Sequence, residues 1–329
     1  MLCWVVEKIT EAGEMVWVER PAPVRGRDEF LVRVNAAGVN FADTLMTRGL
    51  YQRKPETPFT PGIEVAGEIV DADTSDDRRG RVCANIPSGG FAELALVPAR
   101  AATTIPDDVP SDVALALLGV NYPTAYYALH YRAQIRPGET VLVHAGAGGV
   151  GSAALQIALA HGCRPIAVAG SQEKLAICRE LGAETVVSYE SADWESAVRA
   201  VTGGAGADVI FDPVGGAVGV ASLRCLAWRG RLLTVGFASG SIPELPSNRL
   251  LLKEGSALGV FWGEAAKRDP ALLREVHAAL LTLYRAKQVA PLIGARFALA
   301  DAPLALARLG ARKSVGKIVL APSLEHFSD

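Results

Sequence analysis

The sequence predicts a two-part α/β protein, in which a β-rich N-terminal region precedes a doubly wound parallel sheet. Three observations carry this. Strand-like runs alternate with helical ones from about residue 140 onward, the pattern of a parallel sheet covered by helices on both faces. A glycine-rich turn joins the first of those strands to the first of those helices. Residues 1–110 are instead short alternating runs broken by proline and glycine, as in a loop-rich β domain.

In chain order, residues 30–35 alternate as a strand and 63–70 as another, with a charged loop over 71–81. Pro55, Pro58, Pro61, Pro87, Pro98, Pro106 and Pro110 punctuate this part. Residues 113–132 are rich in Ala and Leu and predict one helix with Ser111 as its N-cap. Strands are then expected at 141–144, 165–169, 209–211 and 232–235, and helices at 152–161, 172–181, 194–202 and 219–228. A further helix is expected over 270–287, and the tail from Gly316 to Leu320 reads as a strand that returns to the first domain.

The chain has 329 residues, half of them apolar, which suffices for two cores. Its 33 Lys and Arg nearly balance 35 Asp and Glu, and the basic residues are scattered. That balance argues against strong nucleic-acid binding or attraction to an anionic membrane. The five cysteines, Cys3, Cys83, Cys163, Cys178 and Cys225, are odd in number and contain no CxxC pair. A disulfide scaffold or four-cysteine zinc knot is not expected. Cys178 falls at core spacing in its helix. The residues from Met1 to Lys8 lack the basic and apolar regions of a signal peptide. The longest apolar candidate, 114–120, is far shorter than the roughly 20 residues of a membrane helix. A reducing, cytoplasmic setting is the expectation.

The most informative segment runs from Val141 to Gly151. A short apolar strand enters Gly146-Ala147-Gly148-Gly149-Val150-Gly151, and a helix follows at once. Strand, GxGxxG and helix in that order make a dinucleotide-binding Rossmann unit. Glycines permit the tight turn and the approach of backbone to phosphate. The helix N-terminus offers unpaired N–H groups and the positive end of its dipole.

An NAD site places an acid about 20 residues on, at the end of the second strand. Here that strand ends at Ala169-Gly170-Ser171, with Glu173 and Lys174 behind. Gly170 makes room for a 2′-phosphate, Ser171 can donate to it and Lys174 adds charge, while Glu173 is read as pointing to solvent from the first turn. Two charge-assisted bonds of about 1.5–3 kcal/mol each would favour NADPH over NADH by roughly 100-fold or more. The alternative for Lys174 is an ordinary solvated helix lysine.

Several segments occur together and in order: Ala37-Gly-Val-Asn-Phe-Ala-Asp-Thr-Leu, Gly49-Leu-Tyr-Gln, Pro58-Phe-Thr-Pro-Gly-Ile-Glu-Val-Ala-Gly, Tyr122-Pro-Thr-Ala-Tyr-Tyr and Ala145-Gly-Ala-Gly-Gly-Val-Gly. With them the chain resembles, over nearly its whole length, the medium-chain dehydrogenase/reductase superfamily, and within it the zeta-crystallin-like quinone oxidoreductases. The resemblance implies a GroES-like β-barrel domain over 1–118, completed by 264–329, and a Rossmann domain over 119–263. It implies Asn40 near nicotinamide and substrate, and Tyr51 lining the pocket as a possible proton donor. It implies cofactor contacts from Asn40, Thr124, Ala147, Gly148, Gly149, Val150, Gly170, Ser171, Lys174, Tyr189, Val214, Gly236, Phe237, Phe261, Trp262 and Arg312. A second pocket tyrosine of some family members is Leu45 here. The bland alternatives are a packing aromatic for Tyr51, a turn-capping amide for Asn40, and core or subunit packing for Phe261 and Trp262. For Arg312 the alternative is a surface charge in the basic cluster Arg308, Arg312, Lys313 and Lys317. The resemblance also implies a homodimer, with residues 257–262 pairing across it.

Zinc-dependent alcohol dehydrogenases of this superfamily bind catalytic zinc through positions that match Asn40, Ile63 and the neighbourhood of Val120. None of these can be a thiolate or imidazole ligand, and a catalytic zinc needs three protein ligands, so no metal is expected. Without a Lewis acid to polarise an isolated carbonyl, a conjugated acceptor is favoured, because its reduced anion is delocalised. NADPH-dependent reduction of a quinone is therefore the leading expectation, with an enoyl-thioester or enone reductase as the enzymatic alternative. A non-enzymatic NADPH-binding, crystallin-like protein is the alternative from another class.

Overall fold

The computed structural model describes residues 1–72, 78–191 and 193–322. The central residues of the charged loop expected over 71–81 lie outside them. Seven strands come first: β1 Leu2–Val5, β2 Val16–Glu19, β3 Glu29–Val39, β4 Glu64–Asp71, β5 Arg81–Asn85, β6 Leu94–Pro98 and β7 Ala102–Thr104. Six follow: β8 Thr140–His144, β9 Arg164–Ala169, β10 Thr185–Ser188, β11 Ala207–Asp212, β12 Leu226–Thr234 and β13 Ser256–Gly259. The last two are β14 Ile293–Ala298 and β15 Lys317–Ala321. The chain forms two compact units. The first comprises Met1–Val120, Ala266–His277 and the stretch from Ile293 onward; the second comprises Asn121–Ala265 and Ala278–Leu292. Among the described residues no helix is long and apolar enough to cross a membrane.

The first unit is built on a seven-stranded sheet in the order β14-β15-β3-β4-β5-β7, with β6 also paired to β3. β3 alternates, burying Phe30, Val32 and Val34 while Arg33 faces water, the period of a half-buried strand. Those residues join Val65, Val82, Phe91, Ile318 and Leu320 in one core. β15 pairs antiparallel with the end of β3, Ile318 opposite Val39 and Leu320 opposite Ala37. The C-terminal strand thus seals the sheet beside the residues that lead into Asn40.

The single helix expected over 113–132 is interrupted. A helix runs over Ser111–Leu118 and stops at Gly119, and a new one spans Asn121–Tyr126. A Cβ at Gly119 would overlap the Glu64 carboxylate and the Leu115 carbonyl, so that turn requires glycine. Ser111 is the first helical residue rather than the cap; Pro110 holds the cap position, and Ser111 Oγ accepts from Arg81 Nη1 at 3.3 Å. The helix expected over 219–228 is instead Gly216–Ser222, and Leu226–Trp228 open β12. A short apolar run fits a buried strand or a buried helix equally by periodicity.

The second unit holds a six-stranded sheet, β10-β9-β8-β11-β12-β13, parallel throughout. Strand order reverses between β8 and β11, so the carboxyl ends of these strands flank a crevice suited to a ligand. β8 is buried along its whole length. The helix Gly149–Ala160 crosses so closely that a Cβ on Gly151 would overlap the Ala145 carbonyl, and one on Gly146 would sit 3.0 Å from both Ala167 Cβ and Cys178 Sγ.

Gly151→Ala must therefore push helix and strand apart. The expected cost is about 1–3 kcal/mol, read as a lower midpoint in urea unfolding; an unchanged midpoint would show that the contact yields freely.

Candidate functional site

The turn after β8 makes the centre of the site in the second unit. Ala145 takes φ 50, and Gly148 N–H donates to the Ala145 carbonyl at 2.8 Å. Gly148 caps the helix Gly149–Ala160 with extended geometry, φ −80 and ψ 175. Gly149 and Val150 therefore lie where the helix presents its unpaired N–H groups, and Ala147 and Gly148 lead into them. Gly149 presses on Asn121 so closely that a Cβ would overlap its amide. This twelve-residue helix fits an anion at its N-terminus.

A chain of hydrogen bonds underlies the turn. Ala145 N–H donates to Tyr189 Oη at 3.2 Å, and that hydroxyl lies 2.8 Å from His144 Nδ1. His144 Nε2 lies 2.8 Å from Ser222 Oγ, which donates to the Val218 carbonyl at 2.7 Å. Ser222 has one hydrogen to give, so it accepts from His144 Nε2–H, and Nδ1 accepts from Tyr189. Burial enforces this assignment. It pushes His144 down to about 3 and Tyr189 well above the usual phenol range, so both are neutral. Sequence reasoning placed Tyr189 near a 2′-phosphate; its hydroxyl turns inward, to His144 and Ala145.

At the end of β9, Gly170 is exposed and a Cβ there would meet nothing within 4 Å. Ser171 caps the helix Gln172–Glu180, its Oγ accepting from Lys174 N–H at 3.3 Å. The hydroxyl hydrogen of Ser171 is not used in that bond. Lys174 is half-buried; desolvation pushes its ammonium down and Glu173, itself exposed, opposes this. Open space at Gly170 and the Ser171 hydroxyl thus stand at the start of the helix that carries Lys174, with no acid at Gly170.

At the ends of β11 and β12, Asp212 is buried and accepts from Val214 N–H at 2.8 Å and Gly215 N–H at 2.9 Å. Burial raises its carboxyl, and these two bonds oppose the rise. Ala238 N–H donates to Pro213 O at 3.0 Å and Ser239 N–H to Val214 O at 2.9 Å, which binds the loops carrying Val214, Gly236 and Phe237 together. Thr124 is half-buried on the helix Asn121–Tyr126. Phe261 is 48% exposed, whereas Trp262 is buried with its ring centroid 5.7 Å from that of Tyr127.

Asn40, Tyr51 and Arg312 belong to the first unit. Asn40 precedes the helix Phe41–Met46, and its N–H donates to Asp43 Oδ2 at 2.8 Å. Asn40 Oδ1 accepts from Lys317 Nζ at 2.8 Å, and Lys317 is also ion-paired with Glu64. All four side chains are buried. Burial drives the Lys317 ammonium down and the Asp43 carboxyl up, each opposed by the other's charge. Tyr51 packs at the edge of the cluster Val6, Met46, Phe59 and Ile63. Burial raises its phenol, so it is protonated at neutral pH. Arg312 is exposed beyond the helix Ala302–Gly310, with φ 57.

Zinc does not fit this unit. Ile63 and Val120 pack in the Tyr51 cluster, and the oxygen of Asn40 is held by an ammonium, which repels a dication. Among the described residues no group of three His, Cys, Asp or Glu side chains is placed to hold a metal. Sequence reasoning missed Asp43, Glu64, His144, Ser222 and Asp212, and grouped Lys317 with surface charges. Arg308, Arg312 and Lys313 are exposed, but Lys317 is 3% exposed. A lysine opening an apolar strand was the available signal, since a strand buried along its whole length leaves such a side chain no path to water.

Residues 26–107 match the family model described as alcohol dehydrogenase GroES-like domain, and residues 149–278 the one described as zinc-binding dehydrogenase. The latter description names a metal that the residues of this chain do not fit. The quinone oxidoreductase-like protein 2 homolog of Nematostella vectensis is 40% identical over 302 residues, 90% of this chain and 82% of that protein. A mycobacterial protein solved in complex with NADPH matches with a TM-score of 0.90 and 34% identity, over 98% of this chain and 100% of that one. The quinone oxidoreductase of Thermus thermophilus, solved also as its NADPH complex, matches with a TM-score of 0.85 and 36% identity, over 98% and 100%.

Tyr189→Phe leaves Ala145 N–H and His144 Nδ1 without their shared partner. A loss of about 1–3 kcal/mol in unfolding free energy is expected. Wild-type stability in this variant would mean that the hydroxyl does not support the turn.

Proposed function

Because this chain belongs to the zeta-crystallin-type, quinone oxidoreductase-like branch of the medium-chain dehydrogenase/reductase superfamily, we propose that it reduces a quinone with NADPH. The observation that carries the cofactor choice is the open backbone at Gly170 beside Ser171 and Lys174. A carboxylate in place of Gly170 would repel a 2′-phosphate, whereas the Ser171 hydroxyl and the Lys174 ammonium would hold one. The N-terminus of the helix Gly149–Ala160 would hold the pyrophosphate through backbone N–H groups.

When bound, NADPH supplies a hydride. The acceptor gains that hydride and one proton overall, giving a hydroquinone, and the negative charge is spread by the acceptor's own conjugation before protonation. Asn40 donates a hydrogen bond to the acceptor oxygen. Tyr51, kept protonated by its surroundings, delivers the proton. An acyclic enone or enoyl thioester obeys the same charge logic, so turnover decides between acceptors: kcat/KM for quinones should exceed that for enoyl-CoA. The reverse ratio would reassign the substrate class.

Fluorescence titration is expected to give roughly 100-fold tighter binding of NADPH than NADH; equal affinities would rule out the assigned 2′-phosphate site. In Lys174→Ala, NADPH affinity should fall about tenfold or more with little change for NADH, and a common loss for both would place the phosphate elsewhere.

For Tyr51→Phe, steady-state kinetics should show kcat lowered by about 10²-fold at unchanged NADPH affinity. Undiminished kcat would remove Tyr51 as the donor.

A further inference from the structure

We propose that Lys317 is a positioning residue of this reductase, fixing the orientation of the Asn40 amide and polarising it as a hydrogen-bond donor. The idea rests on the functional reading above only for the identity of the acceptor. Its geometry lies wholly within the first unit.

An asparagine side chain has two nearly isosteric ends, one accepting and one donating, and only its partners decide which faces where. Lys317 Nζ is 2.8 Å from Asn40 Oδ1. An ammonium has donors and no acceptor, so the flipped amide would set two N–H donors against it. The oxygen must face inward. Nδ2 then lies on the other side, 3.4 Å from the Gly38 carbonyl. That bond is long, near the limit of useful geometry, and an acceptor oxygen can take its place. An amide whose oxygen is bound to a cation is also a stronger donor at its nitrogen.

The ammonium is itself held without freedom. Glu64 is fully buried and ion-paired with it. The Glu64 carboxylate lies against Gly38 and Gly119, where a Cβ on either would overlap it. Asp43 fixes the backbone of Asn40 from the following helix, through its bond to Asn40 N–H. Lys317, in β15, reaches Asn40, and Glu64, in β4, reaches Lys317, from strands on either side of β3. A cation 3% exposed in such a place carries a large desolvation cost, and a surface charge or an apolar residue would serve packing better.

The test uses the full chain. Lys317→Met alone leaves Glu64 unpaired and risks unfolding the protein, so the main variant is Lys317→Met/Glu64→Met, which replaces the ion pair by apolar side chains of similar length. With a quinone acceptor its kcat should fall at least tenfold, with NADPH affinity within twofold of wild type. In an Asn40→Ala background the same two changes should cost less than twofold, because the group they orient is gone. A folded double variant with wild-type kcat, or an equal loss in both backgrounds, overturns the proposal. A second measurement needs no turnover. The sequence has five asparagines, so selective ¹⁵N labelling gives a short list of side-chain amide signals, with that of Asn40 identified by its loss in Asn40→Ala. Removing the ion pair should shift this signal and leave those of Asn121 and Asn248 in place; an unmoved Asn40 signal overturns the orientation claim. Wild-type protein inert toward every acceptor would instead sink the functional reading, with the labelling result still deciding the role of Lys317.

Discussion

The nucleotide-binding unit depends on one steric fact: nothing projects from Gly151 toward the carbonyl of Ala145. Because that space is empty, the helix Gly149–Ala160 starts directly over the end of β8. The first N–H groups of that helix then lie without helical partners at the carboxyl end of β8, and their dipoles add to an anion site that needs no charged side chain. Gly146 and Gly149 tighten the same approach against β9 and Asn121. The positive φ at Ala145 follows from this geometry. A non-glycine residue in that conformation is uncommon, and the hydrogen bond from Ala145 N–H to Tyr189 holds it there.

Buried polar groups reinforce each unit in a different way. In the second unit the chain from Ala145 through Tyr189, His144 and Ser222 is neutral throughout, because burial keeps the imidazole unprotonated and the phenol protonated. Neutral groups with their partners in place are cheap to bury and rigid. In the first unit Asn40 and Asp43 adjoin a buried ion pair, Lys317 with Glu64. Charges taken from water cost several kcal/mol each unless paired. A fold that retains them beside an amide pointed by one of them has placed its electrostatic strength at that amide.

Glycine-rich turn, parallel sheet and β-rich first part were legible because they rest on local patterns: GxGxxG between strand and helix, alternation in 30–35, and the missing acid at Gly170. The elements that deviated do so for reasons that no local pattern holds. The break at Gly119 needs a residue without a Cβ because the Glu64 carboxylate, 55 residues earlier in the chain, occupies that space, and no window of sequence contains both. Leu226 opens a strand because its partner, Ala207 of β11, stands beside it only in the folded sheet. Tyr189 and Lys317 illustrate the harder limit. The sequence identifies a phenol and an ammonium, but the side to which each turns is set by His144 in one case and by Glu64 and Asn40 in the other. Pairings across 45 and 277 residues are tertiary facts.

The charge balance of the first unit bears on the chemistry. A catalytic zinc brings two positive charges, open coordination and the ability to lower the pKa of a bound oxygen. The cluster here brings one ammonium, already paired with the Glu64 carboxylate and lying near the Asp43 carboxyl, which burial raises. Such a group cannot stabilise a full alkoxide to the same degree, because its field is largely neutralised within the cluster. It can hold an amide in one orientation, and an amide N–H is suited to an oxygen carrying only part of a charge. A substrate that delocalises the incoming hydride's electrons over a conjugated system presents such an oxygen. The donor set and the class of acceptor therefore constrain each other. The weaker the electrophilic assistance from the protein, the more of the charge the acceptor must carry in its own π system.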